Sequence, residues 1–224
     1  VGLFPGAMIE CTLVVEKKAS YAAGIRVLRY ESLEQEPLQA RRLGLLQSLA
    51  DPNRIAPLAI GAAIPDFKLV DQKNRAVSLS QFKGKVVALN FIYTRCPLPE
   101  YCYRMVNNFG GLQKRFGSRL GRDLVLLTVS FDPVHDQPEV LAQYASTWKA
   151  NPETWHFLTG PQGDVDRLCK LFGVESWQDE GVLTHTLHTA IIDRNGALAA
   201  NIEGNQFTPS QLADLVESVL GRPH

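Results

Sequence analysis

Two stretches of almost unbroken apolar residues constrain the fold of this chain more than any other feature. Residues 86–93 read VVALNFIY and residues 124–131 read LVLLTVSF. Successive side chains of a strand point to opposite faces, so runs like these belong to strands covered on both sides. Between them Met105, Phe109, Leu112 and Phe116 recur at helical spacing. Strand, helix and strand in that order make a crossover that joins parallel neighbours. The chain must therefore build a sheet with helices on it.

The flanking segments extend the sheet. Residues 67–70 and 76–79 read as a short hairpin around Asp71, Gln72, Lys73 and Asn74. Asp136-Gln137-Pro138-Glu139 resembles a helix-capping box, with Val140, Leu141, Tyr144, Ala145 and Trp148 on the helix face behind it. Residues 155–158 suit a strand, and Val165, Leu168 and Phe172 mark a helix. Residues 186–192 and 197–202 flank Arg194-Asn195-Gly196, a hairpin turn in which Asn-Gly accepts positive φ. The last helix opens on Thr208, Pro209 and Gln211 and closes at Gly221. This order predicts an α/β fold, a thioredoxin-like mixed sheet with helices on both faces, over residues 61–224.

Ahead of it, residues 7–15 and 21–30 read as a β-hairpin with the polar run 16–20 as its turn. A lone hairpin is marginal in water, so residues 1–33 read as the end of a truncated N-terminal module, or as strands leaning on the main body. Leu38, Leu45, Leu46 and Leu49 keep helical spacing before Pro52 and Pro57, which makes 34–60 a connecting helix and linker. The chain begins at Val1 with no Met and no leader, which suggests a removed targeting segment or a start inside a longer protein.

Composition narrows the function classes. Across 224 residues, 23 Lys and Arg balance 23 Asp and Glu, which is not the footprint of a dedicated nucleic-acid binder. No apolar stretch approaches the ~20 residues of a membrane span. Four cysteines are too few to staple a chain of this size.

Their positions divide them. Cys11 lies in a predicted strand and Cys169 on the apolar side of a helix, the settings of inert thiols. Cys96 follows a buried strand and Cys102 opens a helix. At such a junction, unsatisfied N–H groups and the helix dipole stabilise thiolate, the form that attacks disulfides and binds soft metals. The pair alone does not choose between redox and metal chemistry. A histidine at the entry of the late strand would face this junction in a thioredoxin-like sheet, and His185 and His188 both lie there. Two sulfurs and one imidazole suit Cu(I), and after oxidation Cu(II). His185 and His188 would point to opposite faces of one strand, so regular geometry lets one of them reach the thiols. Among the other candidates, Asp132 either lines the site or caps a turn, Met105 reads as core, His135 as a solvated turn residue, and Arg95 as a neighbour able to stabilise the Cys96 thiolate.

At these residues the chain resembles the Sco/SenC family, thioredoxin-like copper proteins of respiratory membranes. The matching blocks fall within residues 65–221. They are Pro65-Asp66-Phe67, the run LNFIYTRCP at 89–97, Val129-Ser130-Phe131-Asp132-Pro133 with Asp136 after it, and His185-Thr186. His185 stands eleven residues before Gly196, and that count puts the family's histidine on His185 rather than His188. The resemblance implies Cys96, Cys102 and His185 as the ligand set for one copper ion. It also implies copper delivery to the binuclear site of cytochrome c oxidase, or maintenance of that site's thiols. The partner would be an oxidase copper-site subunit or a thiol-disulfide partner. The location would be extracytoplasmic, periplasmic or membrane-anchored, through an anchor outside this chain.

One departure stands out. The family's cysteines are separated by three residues, whereas five, Pro97 to Tyr101, separate Cys96 from Cys102 here. The alternative reading is a metal-independent thiol-disulfide oxidoreductase, with Cys96 attacking and Cys102 resolving. A peroxiredoxin fits less well, because Thr94 stands two rather than three residues before Cys96. An interaction domain on a degenerate thioredoxin fold is the bland option.

Overall fold

The computed structural model describes residues 7–15, 20–30, 55–179 and 182–222, and the predicted connecting helix over 34–50 lies outside them. The chain divides into two compact units, Val1–Arg54 and Ile55–His224. In the first, β1 (Ala7–Val15) and β2 (Ser20–Tyr30) pair antiparallel, from Ala7 opposite Tyr30 to Val15 opposite Ser20. The register slips twice, next to Met8 and between Glu10 and Thr12. This is the hairpin expected from the sequence.

The second unit is built on a seven-stranded mixed sheet. Its strands are β3 (Lys68–Asp71), β4 (Ala76–Ser78), β5 (Val86–Ile92), β6 (Leu124–Ser130), β7 (Trp155–Thr159), β10 (His188–Ile192) and β11 (Leu198–Glu203). They lie in the order β11-β10-β5-β6-β7-β3-β4. β5, β6 and β7 run parallel, and β10 and β3 join them antiparallel on the two sides. Every residue of β5 and β6 is buried, as their continuous apolar runs require.

The helices are α1 (Arg104–Arg115), α2 (Pro138–Thr147), α3 (Gln162–Leu171) and α4 (Pro209–Leu220). β5 shows that they cover both faces. Asn90 reaches the Met105 carbonyl of α1 on one side, while its neighbour Phe91 meets Phe172, just past α3, on the other at 5.5 Å. Phe109 of α1 and Tyr144 of α2 both meet β7 aromatics, Trp155 and Phe157, on the α1 face. α4 packs on α1 and starts with the Thr208–Gln211 capping box expected from its sequence. This is a thioredoxin-like fold.

Two local expectations change. The single strand expected over 186–192 is broken at Thr186 and Leu187. An additional hairpin of β8 (Ser176–Asp179) and β9 (Val182–His185) precedes the break, so His185 ends β9 and His188 begins β10. Asp136 does not cap α2. Gln137 occupies the cap position without a side-chain bond, and Asp136 turns inward. A buried carboxylate goes where several donors converge, and here that is beneath the Cys96 turn rather than at the helix end.

Candidate functional site

The parallel strands β5 and β6 end side by side, and the chain leaving each one builds the site. After β5 the segment Tyr93–Cys96 closes a turn with the Cys96 N–H donating to the Tyr93 carbonyl at 3.4 Å. A wide π-type turn, Pro99–Tyr103, then leads into α1, and Tyr101 within it leaves helical backbone angles with ψ at −105°. This turn accommodates the extra residues between the cysteines and holds Cys102 within itself, two residues before α1 and 1% exposed.

Cys102 meets the predicted histidine: Cys102 Sγ lies 3.5 Å from His185 Nε2. The ring is held on every side. Nδ1 lies 2.9 Å from the Thr186 carbonyl, Phe131 lies 4.4 Å away between centroids, and Tyr93 meets the ring edge-on at 5.8 Å. A carbonyl can only accept, so Nδ1 carries the hydrogen. Nε2 therefore faces the sulfur, offering a lone pair in the neutral ring. His188 goes elsewhere, its Nδ1 3.2 Å from Asn201 Oδ1 on the neighbouring strand. The strand break lets the two histidines take separate settings.

The two thiols are free and unequal. Cys96 is half-buried, and its thiol is pulled down to about 4. The main cause is a hydrogen bond donated by the Cys102 thiol, opposed by burial and aided by the backbone N–H groups of Cys102 and Leu98. Cys102 is pushed up instead, by its bond to the Cys96 sulfur and then by burial. One proton shared by two sulfurs leaves Cys96 as the thiolate and Cys102 as the thiol. Burial also pushes the Cys169 thiol up, which matches the inert setting read from its helix. Cys11, expected to be an inert buried thiol, is exposed on β1. Outward-facing positions of a two-stranded hairpin have no core to enter.

The turn before Cys96 is anchored by residues whose role the sequence reading did not recognise. Asp136, fully buried, accepts from the Thr94 N–H at 3.0 Å, from Thr94 Oγ1 at 2.5 Å and from Ser130 Oγ at 2.5 Å. Asp132 holds Arg95 at 2.7 Å and lies 2.8 Å from His135 Nδ1, while its carbonyl accepts the His135 and Asp136 N–H groups. Asp132 thus holds Arg95 and His135 with its carboxylate and closes the turn with its backbone. Arg95 points at Asp132 and His135, and the causes of the low Cys96 value lie in Cys102 and the backbone instead. His135, expected to be solvated, is engaged in this network. The two aspartates four residues apart, in the turn that follows β6, were the available signal for this anchor. Met105 is core, 1% exposed.

Cys96, Cys102 and His185 carry soft and borderline donors that suit a copper ion. Among the described residues, no group of three or more His, Cys, Asp or Glu side chains is arranged so that it could hold a metal ion as it stands. The half-exposed Cys96 is the member with access to an incoming ion or sulfur.

A family model described as SCO1/SenC matches residues 59–221. The SCO1 protein homolog of Bacillus subtilis is 27% identical over 150 residues, covering 65% of this chain and 76% of that protein. A putative copper-binding protein of Stutzerimonas stutzeri is 28% identical over 160 residues, covering 69% and 76%. Among solved structures, Bradyrhizobium japonicum ScoI with copper bound superposes with a TM-score of 0.59 at 23% identity, over 72% of this chain and 99% of that one. BsSco, described as a Sco-family cytochrome c oxidase assembly protein with a disulfide switch, superposes with a TM-score of 0.62 at 23% identity, over 75% and 100%.

Proposed function

This chain belongs to the SCO1/SenC family, and from that premise we propose that Cys96, Cys102 and His185 hold one copper ion as cargo for a respiratory oxidase copper site. The observation that carries this reading is the approach of Cys102 Sγ to His185 Nε2, 3.5 Å, beside the Cys96 thiolate. Sulfur selects Cu(I), and one imidazole nitrogen adds the donor that Cu(II) favours. Because Cys102 keeps its proton in the free protein, copper binding releases a proton and tightens as pH rises. The copper bound to ScoI of Bradyrhizobium japonicum and the similarity to a putative copper-binding protein of Stutzerimonas stutzeri support the reading.

The test is titration of the reduced protein with Cu(I) against a competing chelator, and with Cu(II) followed by absorption and EPR. Near one equivalent is expected to bind. Cys96→Ser or Cys102→Ser abolishes the sulfur-to-copper absorption, and His185→Ala weakens binding by about 10–100-fold, on the scale of losses in metal-site variants. Binding unchanged in His185→Ala overturns the proposal.

The unequal thiols favour a second reading, thiol-disulfide exchange that keeps the oxidase-site cysteines reduced. The Cys96 thiolate attacks one sulfur of a partner disulfide, and the other partner sulfur leaves as thiolate. Cys102 then loses its proton, which His185 Nε2 is placed to take, and attacks Cys96 Sγ. The second partner thiolate leaves, and the partner disulfide has been reduced while Cys96 and Cys102 have been oxidised. Mixed-disulfide formation at Cys96 persists in His185→Ala, whereas copper binding falls, so one variant separates the two readings.

The proposal extends to partner and place. The partner is a protein, an oxidase copper-site subunit or its thiol pair, and the location is extracytoplasmic. Among the described residues no helix is long and apolar enough to cross a membrane.

A further inference from the structure

The turn between the cysteines is two residues longer than the Sco/SenC pattern, yet Cys102 still meets His185. Two buried carboxamides hold the backbone on either side of it. Asn205, 8% exposed in the loop after β11, donates through Nδ2 to the Glu100 carbonyl, two residues before Cys102. Asn90, 0% exposed on β5, donates through Nδ2 to the Met105 carbonyl at 3.2 Å, three residues after Cys102. We propose that Asn205 and Asn90 form a clamp that positions Cys102, with Asn205 fastening the lengthened turn and Asn90 fastening the first turn of α1.

Asn90 is hard to explain as a stabilising core residue. It interrupts the apolar strand VVALNFI, and its Oδ1 is buried with no hydrogen-bond partner among the described residues. An unpaired buried oxygen costs stability that an apolar residue would not, so a residue kept on those terms points to a positional role. Asn205 acts where the backbone is least regular. Glu100 lies in the π-type turn whose helical angles fail at Tyr101, and its neighbours Leu98, Tyr101 and Tyr103 are exposed. The loop carrying Asn205 is itself tied to α1, since Asn108 donates to the Phe207 carbonyl at 3.5 Å. Without the Asn205 bond the turn loses its hold on that loop, and Cys102 loses the constraint on its N-terminal side.

The inference takes from the proposed function only that Cys102 is a working sulfur, and its test uses no metal. The full chain carrying Cys11→Ser and Cys96→Ser is treated with iodoacetamide at pH 8, and alkylation of Cys102 and Cys169 is followed separately by peptide mass spectrometry. Both thiols are buried, and Cys169 lies on α3, so it reports general opening of the fold. Adding Asn205→Ala is expected to raise the Cys102 rate at least tenfold with the Cys169 rate within twofold of the parent. Asn205→Asp, the same size but with no N–H to donate, is expected to behave like Asn205→Ala. Asn90→Leu is expected to give the same selective opening of Cys102. Should Asn90→Leu not fold, the two Asn205 variants decide the matter. An unchanged Cys102 rate, an equal rise at both thiols, or an Asn205→Asp variant that matches the parent overturns the clamp. A copper titration that fails leaves this ratio as it stands, so the two proposals fall separately.

Discussion

Two of the buried polar clusters among the described residues have opposite character. In one, Asp71 is fully buried and every approach to its carboxylate is used. It accepts from the Lys73 and Arg75 N–H groups at 2.9 Å, from Arg75 Nε at 2.9 Å, and lies 3.2 Å from His156 Nδ1. Arg75 in turn holds Glu153 and the Pro152 carbonyl. These bonds keep Asp71 ionised against the cost of burial, and burial keeps His156 below its usual value. In the other cluster, Cys96, Cys102 and His185 also converge, but one sulfur is half-exposed and the imidazole nitrogen facing the sulfurs has no stronger donor than a thiol. The closed cluster joins β3 to β7. An open one keeps reactive atoms available, and its order has to come from residues around it.

Four experiments break or sharpen that contrast. The largest effect is expected between thiols. At pH 6 Cys96 is already thiolate, so native alkylation is expected to be more than 100-fold faster at Cys96 than at Cys169. An acid whose value is lowered stays reactive until pH falls through that value, so the Cys96 rate is expected to be flat from pH 8 to pH 6 and to drop only towards its value of about 4. A rate that climbs tenfold per unit above pH 7 would show an ordinary thiol.

Next is Asp71→Ala, which leaves His156 and the turn donors without their acceptor. It is expected to lower stability by about 3 kcal/mol in urea unfolding, with copper binding and Cys96 reactivity unchanged. A change in Cys96 reactivity would join the two clusters. Third, Asp136→Ala releases Thr94 and is expected to weaken copper binding by about 10-fold and to speed alkylation of Cys102. Unaltered binding would make Asp136 a packing residue only. Smallest is Arg95→Ala, expected to change Cys96 alkylation by less than about twofold, because its guanidinium is committed to Asp132 and His135. A large fall would return Arg95 to the role first read for it.

Much of the fold was legible because its causes are local. The runs 86–93 and 124–131 had to be covered strands, Thr208 and Gln211 had to open a helix, and Gly196 had to take the positive φ of its turn, at 81°. The cysteine pair was legible as well, since a strand-to-helix junction exposes backbone N–H groups whatever the rest of the chain does. Resemblance added His185 through its distance from Gly196.

Other features had no local cause. Asp136 reads as a helix cap until Thr94 and Ser130 are seen to converge on it from the ends of two strands. Arg95 reads as a partner of Cys96 until Asp132 is found within its reach. The separate settings of His185 and His188 depend on a break between β9 and β10. The turn that carries Cys102 is bonded from 105 residues away, by Asn205 to the Glu100 carbonyl. Sequence by itself determined which segments are buried and where the thiols stand along the chain, because burial patterns and caps act over a few residues. Only the tertiary structure decided which polar atoms meet, because a buried donor takes whichever acceptor the packed strands and helices bring to it.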